Sequence, residues 1–151
     1  MHFSLPDLFP RGLHVERAAR LASPADLVWA TVGNLADGTI GEGLIERVEV
    51  TGEGAGAIRR FHLPGGLSLT ERIEHHDPAE RCYVYRMIDH GPLPFTRYLG
   101  CAQVLAAGPD AAVISWLAMA QPIDGEAEAA QATIEANLDH VMAALKRRFG
   151  G

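Results

Sequence analysis

The sequence predicts an α+β domain: a curved seven-stranded antiparallel sheet around a long C-terminal helix, with a short helical segment after the first strand. Three observations carry this. Residues 13–21, "LHVERAARL", alternate apolar and polar side chains as a strand does. Six further strand-like runs follow, near 44–52, 56–63, 67–76, 81–88, 96–107 and 111–121, separated by "GEGAG", "PGG", "DPAE", "DHGPLP" and "AGPDA". These separators are turn chemistry too short for parallel crossovers, so neighbouring strands are antiparallel. The last segment, "DGEAEAAQATIEANLDHVMAALKRRFG", places Ile134, Leu138, Val141 and Leu145 at helical spacing. Strands and helices are thus segregated along the chain, which is the mark of a sheet covered by helices on one side.

The elements follow in order. In "ASPADLVWATVGNLAD" Ser23 reads as an N-cap and Pro24 as the first helical residue, with Gly33 and Asn34 as terminators. A glycine-rich bend, "DGTIGEG", leads into the second strand. The run "KRR" at 146–148 closes the last helix, where cations suit the helix dipole, and Gly150 follows it. No linker, repeat or low-complexity stretch interrupts the chain, so residues 1–151 are read as one domain.

Composition excludes several classes of function. Hydrophobic residues make up 48% and charged residues 21%, as in ordinary globular proteins. A formal net charge of −6 disfavours a nucleic-acid partner. No stretch approaches the roughly 18 apolar residues of a membrane helix, so no membrane insertion is expected. The start "MHFSLPDLFPRGL" lacks a basic region followed by an apolar run. With no export signal and two cysteines, Cys82 and Cys101, reduced thiols and a cytoplasmic location are expected. No metal is expected either: His75 and His76 are adjacent on a strand and point to opposite faces, and no HExxH or CxxC spacing occurs. A nucleophile paired with a base, or a glycine loop opening a helix for phosphate, is likewise not found.

The period of the strands decides what lines the interior. If Leu63 faces Leu67 across Pro64-Gly65-Gly66, then Phe61 falls opposite Leu69 and Arg59 opposite Glu71, all on one face. The same parity points Ile73 and His75 inward, then Tyr83, Tyr85 and Met87, then Tyr98, Gly100, Ala102 and Val104. On the last strand it points Ile114, Trp116, Ala118 and Ala120 inward. Seven polar side chains (Arg59, Glu71, His75, Tyr83, Tyr85, Tyr98 and Asn137 on the helix) are more than a dry core accommodates easily. Small residues, Gly100, Ala102, Ala118 and Ala120, leave room beneath the helix. Either the helix packs close there, or a mostly apolar ligand cavity with convergent polar groups occupies the space. On the outer face Leu99, Cys101, Leu105, Val113, Leu117 and Met119 form an apolar patch that would suit a homodimer. His62 is read as outward and Trp29 as core, neither with a chemical role.

Arg59 and Glu71 form the central pair. An isolated charge in an apolar pocket is very costly, so each needs the other. They can be a structural salt bridge, or a site where Arg59 holds an anionic oxygen while Glu71 moves a proton. His75 lies about 13 Å from Glu71 along an extended strand, near one end of the cavity. It is either a partly exposed strand-end residue or a general acid or base. The tyrosines, Phe61, Leu69 and Trp116 form walls, and the three hydroxyls can reach a ligand oxygen.

The ordered set "SPADLVWATVGNLAD", "GAGAIRRF", "GLSLTERIEHHDPAERCYVYRM", "PFTRYLGCAQV", "ISW" and the last helix resembles the SRPBCC superfamily, the Bet v 1-like or START-like helix-grip fold, in its polyketide cyclase/dehydrase-like branch. Val28-Trp29, Gly56 with Arg59, Glu71 and Tyr98 match that pattern. "GLSLTERIEHHD" is also similar to a strand of the plant abscisic-acid receptors, where the residues matching Glu71 and Asn137 line the hormone pocket; no lysine stands on a strand here to bind an acid in their manner. The resemblance implies a deep cavity between sheet and last helix, with its mouth at loops 64–66 and 89–94.

The resulting expectation is a domain that binds a small hydrophobic, aromatic or polyketide-like molecule. It would catalyse a cofactor-independent cyclisation, dehydration or lyase-type cleavage. Arg59 would hold the anion, Glu71 would serve as acid or base, and His75, Tyr98 and Asn137 would position the ligand. The alternative is a non-catalytic carrier or sensor of such a ligand.

Overall fold

The computed structural model describes residues 12–151; the reading of the chain start as lacking an export signal falls on residues outside that range. Strand β1 (Leu13–Leu21) is followed by helix α1 (Ala25–Val32) and a 3-10 turn (Thr39–Gly41). Six strands come next: β2 (Arg47–Thr51), β3 (Ile58–His62), β4 (Ser68–Asp77), β5 (Cys82–Asp89), β6 (Phe95–Ala106) and β7 (Ala112–Pro122). Helix α2 (Ala127–Phe149) ends the chain. The strands form one seven-stranded antiparallel sheet in the order β1-β7-β6-β5-β4-β3-β2. The chain therefore meanders from β2 to β7 and brings β1 in beside β7. Among the described residues no helix is long and apolar enough to cross a membrane.

The β3–β4 hairpin has the expected register. Gly65 and Gly66 both take positive φ, 84° and 77°, which glycine adopts without the steric penalty of a Cβ. Leu63 N–H donates to the Leu67 carbonyl at 2.8 Å, and Phe61 pairs with Leu69 and Arg59 with Glu71. Leu67 itself is 50% exposed rather than inward, because it belongs to the turn ahead of the pleated part of β4.

Helix α2 buries Ile134, Leu138, Met142 and Leu145 and packs on β1, β7 and the 3-10 turn. Its end is anchored at the start of α1. Ser23 is not an N-cap: that position is Pro24, and the Ser23 hydroxyl donates instead to the Phe149 carbonyl at 2.7 Å. Ala22 N–H donates to the Gly150 carbonyl at 2.7 Å. Two contacts from α2 also hold the bend before β2. His140 Nε2 donates to the Glu42 carbonyl at 2.8 Å, and Arg148 Nη1 to Thr39 Oγ1 at 2.6 Å.

Two features of the sheet differ from the alternation rule. First, β4 carries a register shift between Ile73 and His75. The extra residue reverses the parity, so His75 is exposed and His76 turns inward. His76 packs against Trp29 and Tyr83 and donates from Nε2 to the Gly33 carbonyl at 3.0 Å. Second, the outer patch is not all exposed. Leu99 and Met119, paired across β6 and β7, are 8% and 2% exposed and form a small second cluster with Val84 and Leu117. Leu105 remains exposed.

Candidate active site

The inner face of the sheet, the bend before β2 and α2 enclose a cavity of about 320 Å³. That lies at the lower end of the roughly 300–1,000 Å³ range of small-molecule sites. Its polar lining joins the strand residues Arg59, Glu71, Tyr83, Tyr85 and Tyr98, which the strand parity brings together, with Asn137 of α2 and Asp37 of the bend after α1. Phe61, Leu69 and Trp116 supply apolar wall. His75 does not line it; its side chain is 57% exposed, near Asp77, and the β4 shift accounts for this.

Arg59 and Glu71 are almost completely buried, at 6% and 5% exposure. Arg59 Nη2 donates to Glu71 Oε1 at 2.6 Å, the short distance of a charge-assisted bond. The guanidinium is flanked by the rings of Phe61, Tyr83 and Tyr85, with ring centroids 5.0, 5.3 and 5.8 Å from Cζ. Cation–π attraction and packing thus fix its position. Two buried side-chain nitrogens lack a hydrogen-bond partner among the described residues, Arg59 Nε and His90 Nε2, and of these two residues only Arg59 lines the cavity.

The charge balance of the pair follows from burial. Burial disfavours the Glu71 carboxylate and raises its pKa, and the nearby guanidinium only partly offsets this. For Arg59, burial acts downward, but Glu71 and then Tyr83 act upward and prevail, so the guanidinium keeps its proton. The site therefore holds a permanent cation beside a carboxylate of unusually high basicity. The phenols of Tyr83, Tyr85 and Tyr98 are all shifted upward, by burial first, so each carries its proton at neutral pH.

The small residues of β6 and β7 do not create the cavity. Gly100 pairs with Tyr85 across β5 and β6, and a Cβ at Gly100 would overlap the Tyr85 ring. Gly100, Ala102, Ala118 and Ala120 are not among the cavity residues; at Gly100 the tyrosine fills the room. One wall was not anticipated. Ile40, Leu44 and Ile45, from the bend after α1, line the cavity together with Leu63 and Leu93. Apolar residues inside a glycine-rich stretch are the signal that points to it. Leu63 flanks the β3–β4 turn, and Leu93 lies in the β5–β6 loop, so both anticipated mouth loops border the site. A Cβ on Gly91 would overlap the Ser68 carbonyl, so the β5–β6 loop packs against the start of β4.

Among the described residues no group of three or more His, Cys, Asp or Glu side chains is placed to hold a metal ion.

Comparison with known proteins places this architecture. The chain superposes on XoxI from Bacillus cereus with a TM-score of 0.81 at 23% identity, covering 90% of this chain and 94% of that one. It superposes on the Zhui aromatase/cyclase from Streptomyces sp. R1128 with a TM-score of 0.75 at 24% identity, covering 91% and 96%. For a truncated norcoclaurine synthase from Thalictrum flavum the TM-score is 0.73 at 22% identity, covering 90% and 92%. These likenesses establish a shared helix-grip fold. No curated protein matches the chain in sequence. A family model described as polyketide cyclase/dehydrase and lipid transport matches residues 12–150. With nearly every described residue inside that match, the chain belongs to the polyketide cyclase/dehydrase and lipid transport family.

Proposed function

We propose that this protein binds a small hydrophobic carbonyl compound, aromatic or polyketide-like, and catalyses a cofactor-independent acid/base reaction on it. The observation that carries the reading is the buried Arg59–Glu71 pair on the cavity wall, with Arg59 Nε–H left without a protein partner. Family membership and the aromatase/cyclase and norcoclaurine synthase neighbours support it.

The first step is enolisation. The Glu71 carboxylate removes a proton from carbon next to the ligand carbonyl. The C–H bond breaks, an O–H bond forms on Glu71, and the electron pair moves onto the carbonyl oxygen. Glu71 becomes neutral as the ligand becomes anionic, so the negative charge facing Arg59 moves from carboxylate to enolate without a change in the net charge of the pocket. The free Nε–H is available to the new oxyanion. Burial assists by making Glu71 a stronger base. The enolate carbon then attacks a second carbonyl in cyclisation; elimination of water or the reverse cleavage uses the same pair. Asn137 and the tyrosine hydroxyls orient the ligand, and Phe61, Leu69 and Trp116 exclude water. No step calls for a cofactor, and His75, exposed outside the cavity, has no part.

The test is exchange of the C2 protons of 1-phenyl-1,3-butanedione in D2O, followed by NMR, with wild type and E71Q. General-base removal predicts a loss of roughly 10²-fold or more in the protein-dependent rate, with binding largely kept. Equal exchange by folded E71Q overturns Glu71 as the base, and binding without protein-dependent exchange in wild type leaves a carrier or sensor. If E71Q does not fold, R59M/E71Q removes the unpaired cation and serves the same comparison.

A further inference from the structure

The bend after α1 carries a hydrogen-bond chain whose direction is fixed by its donors. Arg148, in the last turn of α2, donates from Nη1 to Thr39 Oγ1 at 2.6 Å. A guanidinium only donates, so Thr39 Oγ1 accepts here and its own proton goes to another partner. That partner is Asp37: Thr39 Oγ1 donates to Asp37 Oδ1 at 2.6 Å, and Thr39 N–H donates to the same oxygen at 2.8 Å. Asp37 N–H in turn donates to the Asn34 carbonyl at 3.0 Å. Both the backbone and the side chain of Asp37 are therefore held in place.

The side-chain bonds of Asp37 among the described residues all fall on Oδ1. Its second carboxylate oxygen, Oδ2, accepts from no protein group among them. Asp37 nevertheless lines the cavity, beside the apolar wall of Val32, Ile40, Leu44 and Ile45. An ionised carboxylate accepts hydrogen bonds and gives none. A ligand that covers Asp37 with an apolar group strips water from that oxygen and returns nothing, whereas a ligand hydroxyl replaces the lost bond.

We propose that Asp37 is a second recognition group of this site, accepting a hydrogen bond from a ligand hydroxyl, and that Thr39 positions it. Arg59, on β3, offers a donor to the ligand's carbonyl oxygen. Asp37, on the bend, offers an acceptor to a hydroxyl elsewhere on the same molecule. The substrate class narrows to a phenolic carbonyl compound. This rests on the reading of Arg59 and Glu71 given above and specifies the ligand of the same site. Sites built to pair a substrate hydroxyl reject the analogue that lacks it.

The test compares 1-phenyl-1,3-butanedione with its 3-hydroxyphenyl and 4-hydroxyphenyl analogues, each differing from the parent by one oxygen. Affinities are measured calorimetrically for wild type, D37N and T39V. The ratio of a hydroxylated probe to the parent cancels changes in cavity shape that affect both alike. D37N keeps the size of the side chain; Thr39 N–H holds the amide oxygen, which leaves a donor where Oδ2 was. Wild type is expected to favour one of the hydroxylated probes by about tenfold more than D37N does, the scale of a hydrogen bond to a charged group. T39V keeps the shape of Thr39 without its hydroxyl. It should lose about threefold or more of that preference while binding the parent within about twofold of wild type. Equal preference in D37N, or no wild-type preference for either hydroxylated probe, overturns the role of Asp37. A full preference in T39V overturns its positioning role. If D37N does not fold, D37A serves the same comparison. Failure of the acid/base reading is seen separately: E71Q would then keep proton exchange on the parent diketone, whatever the ratio of affinities.

Discussion

Gly100 lies directly opposite Tyr85 on the neighbouring strand, and the tyrosine ring occupies the space a side chain at Gly100 would take. The contact is with a buried ring hydrogen-bonded to Trp116, so it cannot relax freely. G100A is predicted to destabilise the fold by about 1–3 kcal/mol through overpacking. At roughly 2–4 °C per kcal/mol for a chain of this size, a thermal melt resolves the loss. Tryptophan fluorescence should change with it, because the Trp116–Tyr85 bond is disturbed.

The ion pair is predicted to be strongly coupled. Replacing one member leaves the other charged and buried, which costs about 3–5 kcal/mol. R59M and E71L should each lower the melting temperature by that measure. The double variant R59M/E71L should recover most of the loss, since an apolar pair of similar volume is often neutral or better. Additive losses in the double-mutant cycle would mean that the two residues are not a pair.

The pH dependence has a definite sign. Burial raises the folded-state pKa of Glu71 above its unfolded value. Its contribution to stability is therefore fully present below the ordinary carboxylate pKa and is lost as pH rises through the folded value. Proton exchange should run in the opposite direction, increasing across the same window as the base form appears. Melts and exchange rates measured from acidic to neutral pH should show these opposed trends in wild type, and the exchange trend should vanish in E71Q.

The shift in β4 makes the two adjacent histidines unequal. H75A removes an exposed side chain and should change stability by no more than about 0.5 kcal/mol. H76A removes packing on Trp29 and Tyr83 and the donor to the Gly33 carbonyl, so a loss of about 1–3 kcal/mol is expected. Chemical denaturation of the two variants decides this, and equal losses would contradict the described register.

Much of the site was legible because hairpin turns and strand parity are local. Two glycines at the β3–β4 turn set the register that joins Arg59 to Glu71, and the same alternation placed the tyrosines and Trp116 on the inner face. Asn137 reached the cavity from the helix, as the family resemblance implied. His75 failed for the same local reason: one inserted residue reverses every side chain beyond it, and no residue type in "ERIEHHD" announces the shift. The small residues of β6 and β7 were read as empty space because the sequence does not reveal that the Tyr85 ring lies across Gly100. Similarly, Ser23 has the chemistry of an N-cap but spends its hydroxyl on the far end of α2, a partner 126 residues away. The wall built by Ile40, Leu44 and Ile45 depends on how the bend is held by His140 and Arg148, which is a tertiary fact.

The most direct test is the protonation state of an acidic probe in the cavity. 4-Nitrophenol absorbs differently as phenol and as phenolate, so its spectrum reports where the proton resides. If Glu71 takes the proton while Arg59 holds the oxyanion, the probe bound to wild type is ionised at a pH where free probe is neutral, and the probe bound to E71Q stays neutral. A neutral bound probe in wild type, or the same ionised spectrum with E71Q, would contradict the transfer of charge from Glu71 to the ligand.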